Sequence, residues 1–296
     1  MSVEIAHVTK RFGKVTALND VSLTIGAGER VALIGSNGSG KTTLMRSVLG
    51  VLRFDGVIRI FGHDVAARPV EALSQVAYVP QIAPPIDVPL HELMRTWSRL
   101  RGVSEGEVVD RSRAFGLDVL AERRKRFADL SGGMKQKLLA AFALASAAPV
   151  LVCDEPTANL DPQARVSFFQ QVAARPANAS VILCSHRLDE VRQLVDRVVE
   201  LRDGAVIHDG SVSELLDDRR AYRVEVWLQA DAAAAAAFLV ARGFLAAGPD
   251  RYAALLTQRD KLSAIEGLMR HHDRAVRDLG MAQVDALPPA KVRVLP

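Results

Sequence analysis

Two short stretches of this 296-residue chain hold residue types that could act on phosphate. The first is Gly35-Ser36-Asn37-Gly38-Ser39-Gly40-Lys41-Thr42, followed by Thr43. It fits the pattern G-x-x-x-x-G-K-[ST] and lies between the apolar run Val31 to Ile34 and the helical spacing of Leu44, Val48, Leu49 and Leu52. Glycines let backbone N–H groups converge on phosphate oxygens, and the start of the following helix adds positive potential. Lys41 would reach the β- and γ-phosphates, and the Thr42 hydroxyl would hold Mg2+. The second stretch is Asp154-Glu155, at the end of the apolar run Val150 to Cys153. The C-terminal edge of a parallel sheet is where ligands sit, so such a strand presents its carboxylates to them. One can face a metal and the next an attacking water, which suits phosphoryl transfer. Alone, the pair would serve equally well to cap the turn at Pro156. Beside a phosphate loop the chemical reading prevails.

The elements around these stretches alternate as an α/β chain does. Val3, Ile5 and Val8, then Val21, Leu23 and Ile25, have strand spacing around a turn at Lys10 to Lys14. Gly56 to Phe61, Val76 to Val79 and Val181 to Cys184 read as further strands, and Val198 to Leu201 with Ala205 to His208 as a hairpin through Asp203-Gly204. Pro80 to Pro89 is too rich in proline for helix or central strand. Helical patterns follow at His91 to Arg101, Glu105 to Phe115 and Lys135 to Ala147. A shift at Arg219 opens a small β-α-β-α unit, with strands Tyr222 to Leu228 and Tyr252 to Thr257 and helices Ala232 to Arg242 and Lys261 to His271. The expected organisation is a large domain over 1–218, with a helical subdomain at about 82–148, and an accessory domain over 219–296.

Composition bounds the partners. Hydrophobic residues make up 49% and charged residues 24%, the balance of a folded chain. Lys plus Arg exceeds Asp plus Glu by 38 to 34, too small a margin for a nucleic-acid stripe. No apolar run reaches the ~20 residues that span a bilayer, and the N-terminus has no apolar signal core. Cys153 and Cys184 sit in apolar runs and read as buried strand thiols of a reducing compartment.

With the remaining loops in place the chain resembles the ATP-binding cassette (ABC) ATPases, the nucleotide-binding subunits of membrane transporters. Leu130-Ser131-Gly132-Gly133-Met134 resembles the family's signature loop, and Tyr78-Val79-Pro80-Gln81 the loop whose glutamine meets the metal. Ala158-Asn159-Leu160-Asp161 resembles the loop that crosses the dimer interface, and Cys184-Ser185-His186 the switch-histidine loop. Phe12 stands where the family stacks an aromatic on adenine. The likeness covers roughly residues 1 to 216. Met134 and Ala158 depart from the commonest residues, and neither removes a phosphate ligand. Taken singly, Ser131-Gly132-Gly133 also reads as a helix N-cap, Gln81 as a surface-loop residue, His186 as a strand-end histidine and Phe12 as a turn aromatic.

The resemblance implies a P-loop cassette with a β-subdomain, a helical subdomain and a small C-terminal α+β domain. It implies that ATP and Mg2+ bind at Phe12, Gly35, Ser36, Asn37, Gly38, Ser39, Gly40, Lys41, Thr42, Thr43 and Gln81, with Thr42, Gln81 and Asp154 around the metal. Glu155, His186 and Lys41 would be catalytic, Ser131, Gly132 and Gly133 would act in trans in a head-to-tail homodimer, and Asp161 would lie at its interface. A separate transmembrane permease would complete an export-type transporter, placing the chain on the cytoplasmic face of the membrane as a peripheral subunit. Within that group the features resemble the copper-site maturation ATPase of nitrous oxide reductase and the drug- or polysaccharide-export ATPases. The alternatives are an importer of metal or small solutes and a soluble ABC ATPase of assembly or translation. The second is disfavoured because the chain has a single phosphate loop and no room between Gln81 and Ser131 for a long coiled coil.

Overall fold

A computed structural model describes residues 1–185, 194–219 and 221–284. The chain divides into two compact units, Met1–Gly210 and Ser211–Pro296.

In the first unit, β1 (Val3–Phe12) and β2 (Val15–Ile25) form an antiparallel hairpin, tightened by Gly13 in a left-handed conformation. With β4 (Asp55–Ile60) and β5 (His63–Asp64) they make a sheet of order β2-β1-β4-β5. The second sheet has the order β10-β9-β3-β8-β7-β6. Its members are β3 (Arg30–Ile34), β6 (Val76–Val79), β7 (Val150–Asp154), β8 (Ser180–Cys184), β9 (Arg197–Arg202) and β10 (Ala205–Ser211). β6, β7, β8, β3 and β9 pair in parallel. Every residue of β7 and β8 is buried, which explains why both read as unbroken apolar runs and not as alternation.

Helix α1 (Lys41–Val48) is the wedge between the sheets. Its Leu44, Met45 and Val48 join Val3 and Ile5 of the antiparallel sheet and Leu33, Val152 and Ile182 of the parallel one in a single core. Two polar ties hold the same layers. Ser180 donates to the Ser2 hydroxyl (2.9 Å), and Ser2 in turn donates to the Ile25 carbonyl (3.0 Å). Arg197 reaches Asp209 through two nitrogens (2.6 and 2.7 Å) and Glu29 through a third contact (2.8 Å). Hydrogen bonding to Asp209, and then to Glu29, raises its affinity for its proton further.

A second core belongs to the helices α3 (Leu90–Arg101), α4 (Glu105–Ala114) and α5 (Gly132–Ala145). Leu90, Met94, Val108, Phe127, Leu138 and Phe142 meet there, and Trp97 stacks on Phe142 at 4.8 Å. The short helix α2 (Pro69–Ser74), begun by a proline, was absent from the sequence expectation, as was β5.

The second unit begins earlier than the expected boundary at 218/219. Helix α7 (Val212–Arg219) lies in this unit, against β13 (Arg251–Thr257) and the helix Gln258–His272. The unit continues β11 (Ala221–Leu228), helix Ala233–Val240, β12 (Leu245–Gly248), β13, helix Gln258–His272 and β14 (Val276–Val284). The sheet order is β12-β13-β11-β14, so the expected β-α-β-α is a β-α-β-β-α-β unit of the split βαβ kind. Strand β12 escaped notice because Leu-Ala-Ala-Gly has no strand preference and every residue of it is exposed. Strand β14 escaped because a register shift opposite Trp227 and Leu228 breaks its period of two.

Candidate functional site

The loop that leaves β3 and the carboxylates that leave β7 share one edge of the parallel sheet, with β8 between them. Backbone bonds tie these three strand ends together. The Glu155 amide donates to the Cys184 carbonyl (3.0 Å), and the Ser185 amide to the Leu33 carbonyl (3.4 Å). This is the crevice where open α/β sheets bind ligands.

Glycine conformation shapes the loop. Gly35, Gly38 and Gly40 have φ of 150°, 81° and 104°. A Cβ on Gly35 would collide with the Leu201 carbonyl and the Ser39 side chain, and one on Gly40 with the Ala17 carbonyl. Gly38 has open space around it. Helix α1 then starts with no side-chain cap and no acidic residue in its first turn, so its N–H groups point into the loop. Lys41 donates to the carbonyls of Gly35 (2.8 Å) and Ser36 (3.0 Å), which folds its ammonium over the cradle. The Ser39 hydroxyl is buried without a hydrogen-bond partner. An orphaned hydroxyl, free helix amides and an ammonium in one loop fit a phosphate chain.

The carboxylate side is equally specific. Asp154 is 3% exposed, and burial, followed by the charge of Glu155, raises its pKa. Arg46, a hydrogen bond with Thr42, and Lys41 pull it back down. The structure thus joins Lys41, Thr42, Asp154 and Glu155 in one electrostatic group. Arg46 was missed in the sequence because it looks like an ordinary last-turn cation of α1. Tyr78, opposite Val152 on the neighbouring strand β6, has its phenol pushed up to about 12, first by burial and then by the charge of Asp154. Glu155 holds φ of 46°, a left-handed conformation that costs a non-glycine residue about 1–2 kcal/mol. Such strain collects at functional sites. Cys153 and Cys184 are buried free thiols, as read from the sequence, and burial raises both thiol pKa values. A hydroxyl and a carboxylate are hard oxygen donors of the kind Mg2+ takes alongside phosphate oxygens. Among the described residues no cluster of three or more His, Cys, Asp or Glu could hold a metal.

The other residues singled out by sequence fall into two places. Ser131 caps α5, its hydroxyl accepting from the Met134 amide (3.2 Å), so its N-cap reading and its place in the signature loop coexist. Gln81 lines a groove of about 430 Å3 with Ile82, Pro84, Gly132, Gln136 and Asn159. Asp161 caps α6 (Pro162–Ala173) and pairs with Lys137 at 2.6 Å. Hydrogen bonding to Lys137 holds its carboxyl below the usual range. Phe12, at the end of β1, is half exposed with the Lys10 ammonium 4.9 Å from its ring centroid. His186 lies outside the described residues.

Sequence reasoning passed over Gln136. This residue is 1% exposed, and its amide nitrogen donates to the carbonyls of Pro80 and Pro156, each at 3.1 Å. The available signal was helical. Position 136 shares the face of Ala140 and Ala143, so a polar side chain there had to find partners inside.

Comparison with known proteins bears on the whole arrangement. Residues 18–158 match the family model described as ABC transporter. The Nod factor export ATP-binding protein I of Burkholderia lata is 34% identical over 222 residues, 73% of this chain and 72% of that protein. The chain belongs to the ABC transporter ATP-binding family. A solved ATP-binding subunit of an ABC transporter aligns with a TM-score of 0.66 and 28% identity, over 73% of this chain and 92% of its own. A dimeric ATP-binding cassette in a post-hydrolysis state with ADP and phosphate shares the fold, with a TM-score of 0.61 and 23% identity over 71% of this chain and 98% of that one. This cassette is accordingly an ATP-binding, ATP-hydrolysing transport subunit. Among the described residues no helix is long and apolar enough to cross a membrane.

Proposed function

We propose that the chain powers an export-type transporter as a head-to-tail homodimer, docked at the cytoplasmic face of the membrane on a separate transmembrane subunit. The observation that carries this reading is the shared sheet edge. There Lys41 and Thr42, at the start of α1 after β3, act on Asp154 at the end of β7 together with the strained Glu155, with β8 between the two strands. The phosphate loop, with Ser36, Asn37, Gly38, Ser39, Gly40, Thr42 and Thr43, cradles the triphosphate. Phe12 stacks its half-exposed ring on the base. Thr42, Gln81 and Asp154 would hold Mg2+, which would supply Lewis-acid neutralisation of phosphate charge. Glu155 orients and deprotonates the attacking water, and Lys41 steadies the charge that develops on the transferred group. By the resemblance of Cys184-Ser185-His186 to the switch-histidine loop, His186 would act on the γ-phosphate.

Ser131, Gly132 and Gly133 head a helix packed in a different core from α1, which suits them to close on the nucleotide of a second copy. Asp161 would lie at that seam. Closure is then driven by ATP bridging two surfaces and reversed when the γ-phosphate is lost. The exporter named among the relatives supports the direction, and the dimeric cassette with ADP and phosphate supports the pairing. The apolar groove beside Gln81, with Ile82, Pro84 and Ile86 on its wall, suits a helix of the membrane partner.

Glu155→Gln tests the assignment. Turnover should fall by about 100-fold or more, as when a positioned base is lost, while ATP binding persists and ATP traps a dimer on size exclusion. Turnover near that of the wild type would remove Glu155 from catalysis.

A further inference from the structure

Strands β6 and β7 run in parallel with Val79 opposite Cys153, and the chain leaves them in two diverging loops. One begins Pro80-Gln81, the other Glu155-Pro156. Both loops carry a residue assigned to the chemistry, and both have a proline, which offers no N–H with which to tie the loop to itself. The Pro80 carbonyl belongs to the peptide unit that ends at the Gln81 nitrogen, and the Pro156 carbonyl directly follows Glu155. Gln136 spans this fork. A carboxamide has two N–H donors, and its one nitrogen supplies both carbonyls at 3.1 Å from a side chain that is almost fully buried.

Gln136 is also one turn along α5 from Gly132, on the same helix face, and both line the groove that Gln81 lines. The next residue, Lys137, grips Asp161 on the following loop. The helix that presents Ser131, Gly132 and Gly133 is therefore bonded to the two loops of its own chain that flank the phosphate site.

We propose that Gln136 is a positioning residue for ATP hydrolysis: its carboxamide fixes the Gln81 and Glu155 loops to the signature helix, so that engagement of that helix sets the geometry of the chain's own site. The proposal rests on the roles given above to Gln81 and Glu155. The hydrogen bonds of the Gln136 carboxamide go to Pro80 and Pro156 and not to α1 or its loop, so its loss should separate binding from turnover.

The test uses the full chain with Gln136→Met, which keeps the length and removes both donors, and with Gln136→Glu. A protonated glutamic acid restores one donor, and an ionised one restores none and repels both carbonyls. Turnover of Gln136→Met should fall by about 10- to 100-fold, the scale of an outer positioning group, with ATP affinity within about twofold of wild type. Gln136→Glu should regain turnover relative to wild type as pH is lowered, because protonation returns its donor. Wild-type turnover in Gln136→Met would overturn the proposal. So would a joint fall of turnover and ATP affinity with no such pH response in Gln136→Glu, which would make the residue a packing element only. Glu155→Gln assayed beside them tells the two readings apart. If it hydrolyses ATP normally, the catalytic assignment itself fails. If it is inactive while Gln136→Met is normal, only the role of Gln136 is lost.

Discussion

Helices α1 and α5 both carry glycine and serine at their starts, and they finish their first turns in opposite ways. At α1 the cap position is Gly40, left-handed and without a side chain to satisfy the N–H groups that follow. At α5 the cap is Ser131, whose hydroxyl accepts from the Met134 amide. A helix start with unmet donors needs a ligand or water. A self-capped start does not, and a serine hydroxyl that accepts a bond still has a proton to donate. One helix start is open to phosphate, whereas the other stands complete, as the proposed action on a second copy's nucleotide would have it. The asymmetry is what a two-part clamp requires, and it is written in which residue precedes each helix.

The contrast can be broken most severely at the glycines of the first loop. Gly35→Ala should cost about 2–5 kcal/mol, since it combines an unfavourable φ with overlap on the Leu201 carbonyl. Gly38→Ala, with an unfavourable φ but open surroundings, should cost only about 1–2 kcal/mol. Urea melts of the two variants measure the gap. Equal losses would mean that the loop adapts freely and is not held in shape to receive a ligand.

The other half of the comparison sharpens with Ser131→Ala. Loss of an N-cap hydroxyl should lower stability by about 1 kcal/mol. ATP affinity of the isolated chain should stay unchanged, because α5 lies in the helical core and not beside α1. Steady-state turnover, which the proposed clamp would require, should drop. A nucleotide titration showing weakened binding to the monomer would end the division of labour proposed for the two helices.

What the sequence made legible follows the same division between local and distant causes. The phosphate loop, the strand before it and the helix after it were readable because glycine placement and apolar spacing act within a dozen residues. So were the carboxylates at the end of β7, whose full burial on both faces leaves an unbroken apolar run. Gln136 was not, because its partners are backbone carbonyls 56 and 20 residues away. Arg46 is similar, being an ordinary helix cation until the sheet brings Asp154 beside it. In the second unit, β12 and β14 exist through their neighbours. One is alanine and glycine paired with β13, and the other bends around a register shift against β11. The unit boundary moved because α7 packs on elements that come later in the chain.

The smallest expected effect tests Asp154, the buried carboxylate at the end of β7. Burial, with Glu155 adding to it, raises the pKa of Asp154 above that of an unfolded aspartate, so ionisation of this group opposes folding. The sign follows from linkage. Below the unfolded pKa the carboxyl is protonated in both states and costs nothing. The penalty grows as pH rises from the unfolded value through the folded one, and it is constant above that. Asp154→Asn removes the charge while keeping an oxygen to accept from Thr42. The nucleotide-free variant should therefore melt higher than wild type at neutral pH, and the difference should shrink as the solution is acidified into the ordinary carboxylate range. With ATP and Mg2+ present the order should reverse, because a ligand stabilises the chain that binds it better. Thermal melts across pH, with and without nucleotide, read both signs. An Asn variant that is less stable than wild type even without nucleotide would make Asp154 a structural anchor. It would also remove the reason for calling this edge of the sheet a site kept under electrostatic load for a cation and a phosphate chain.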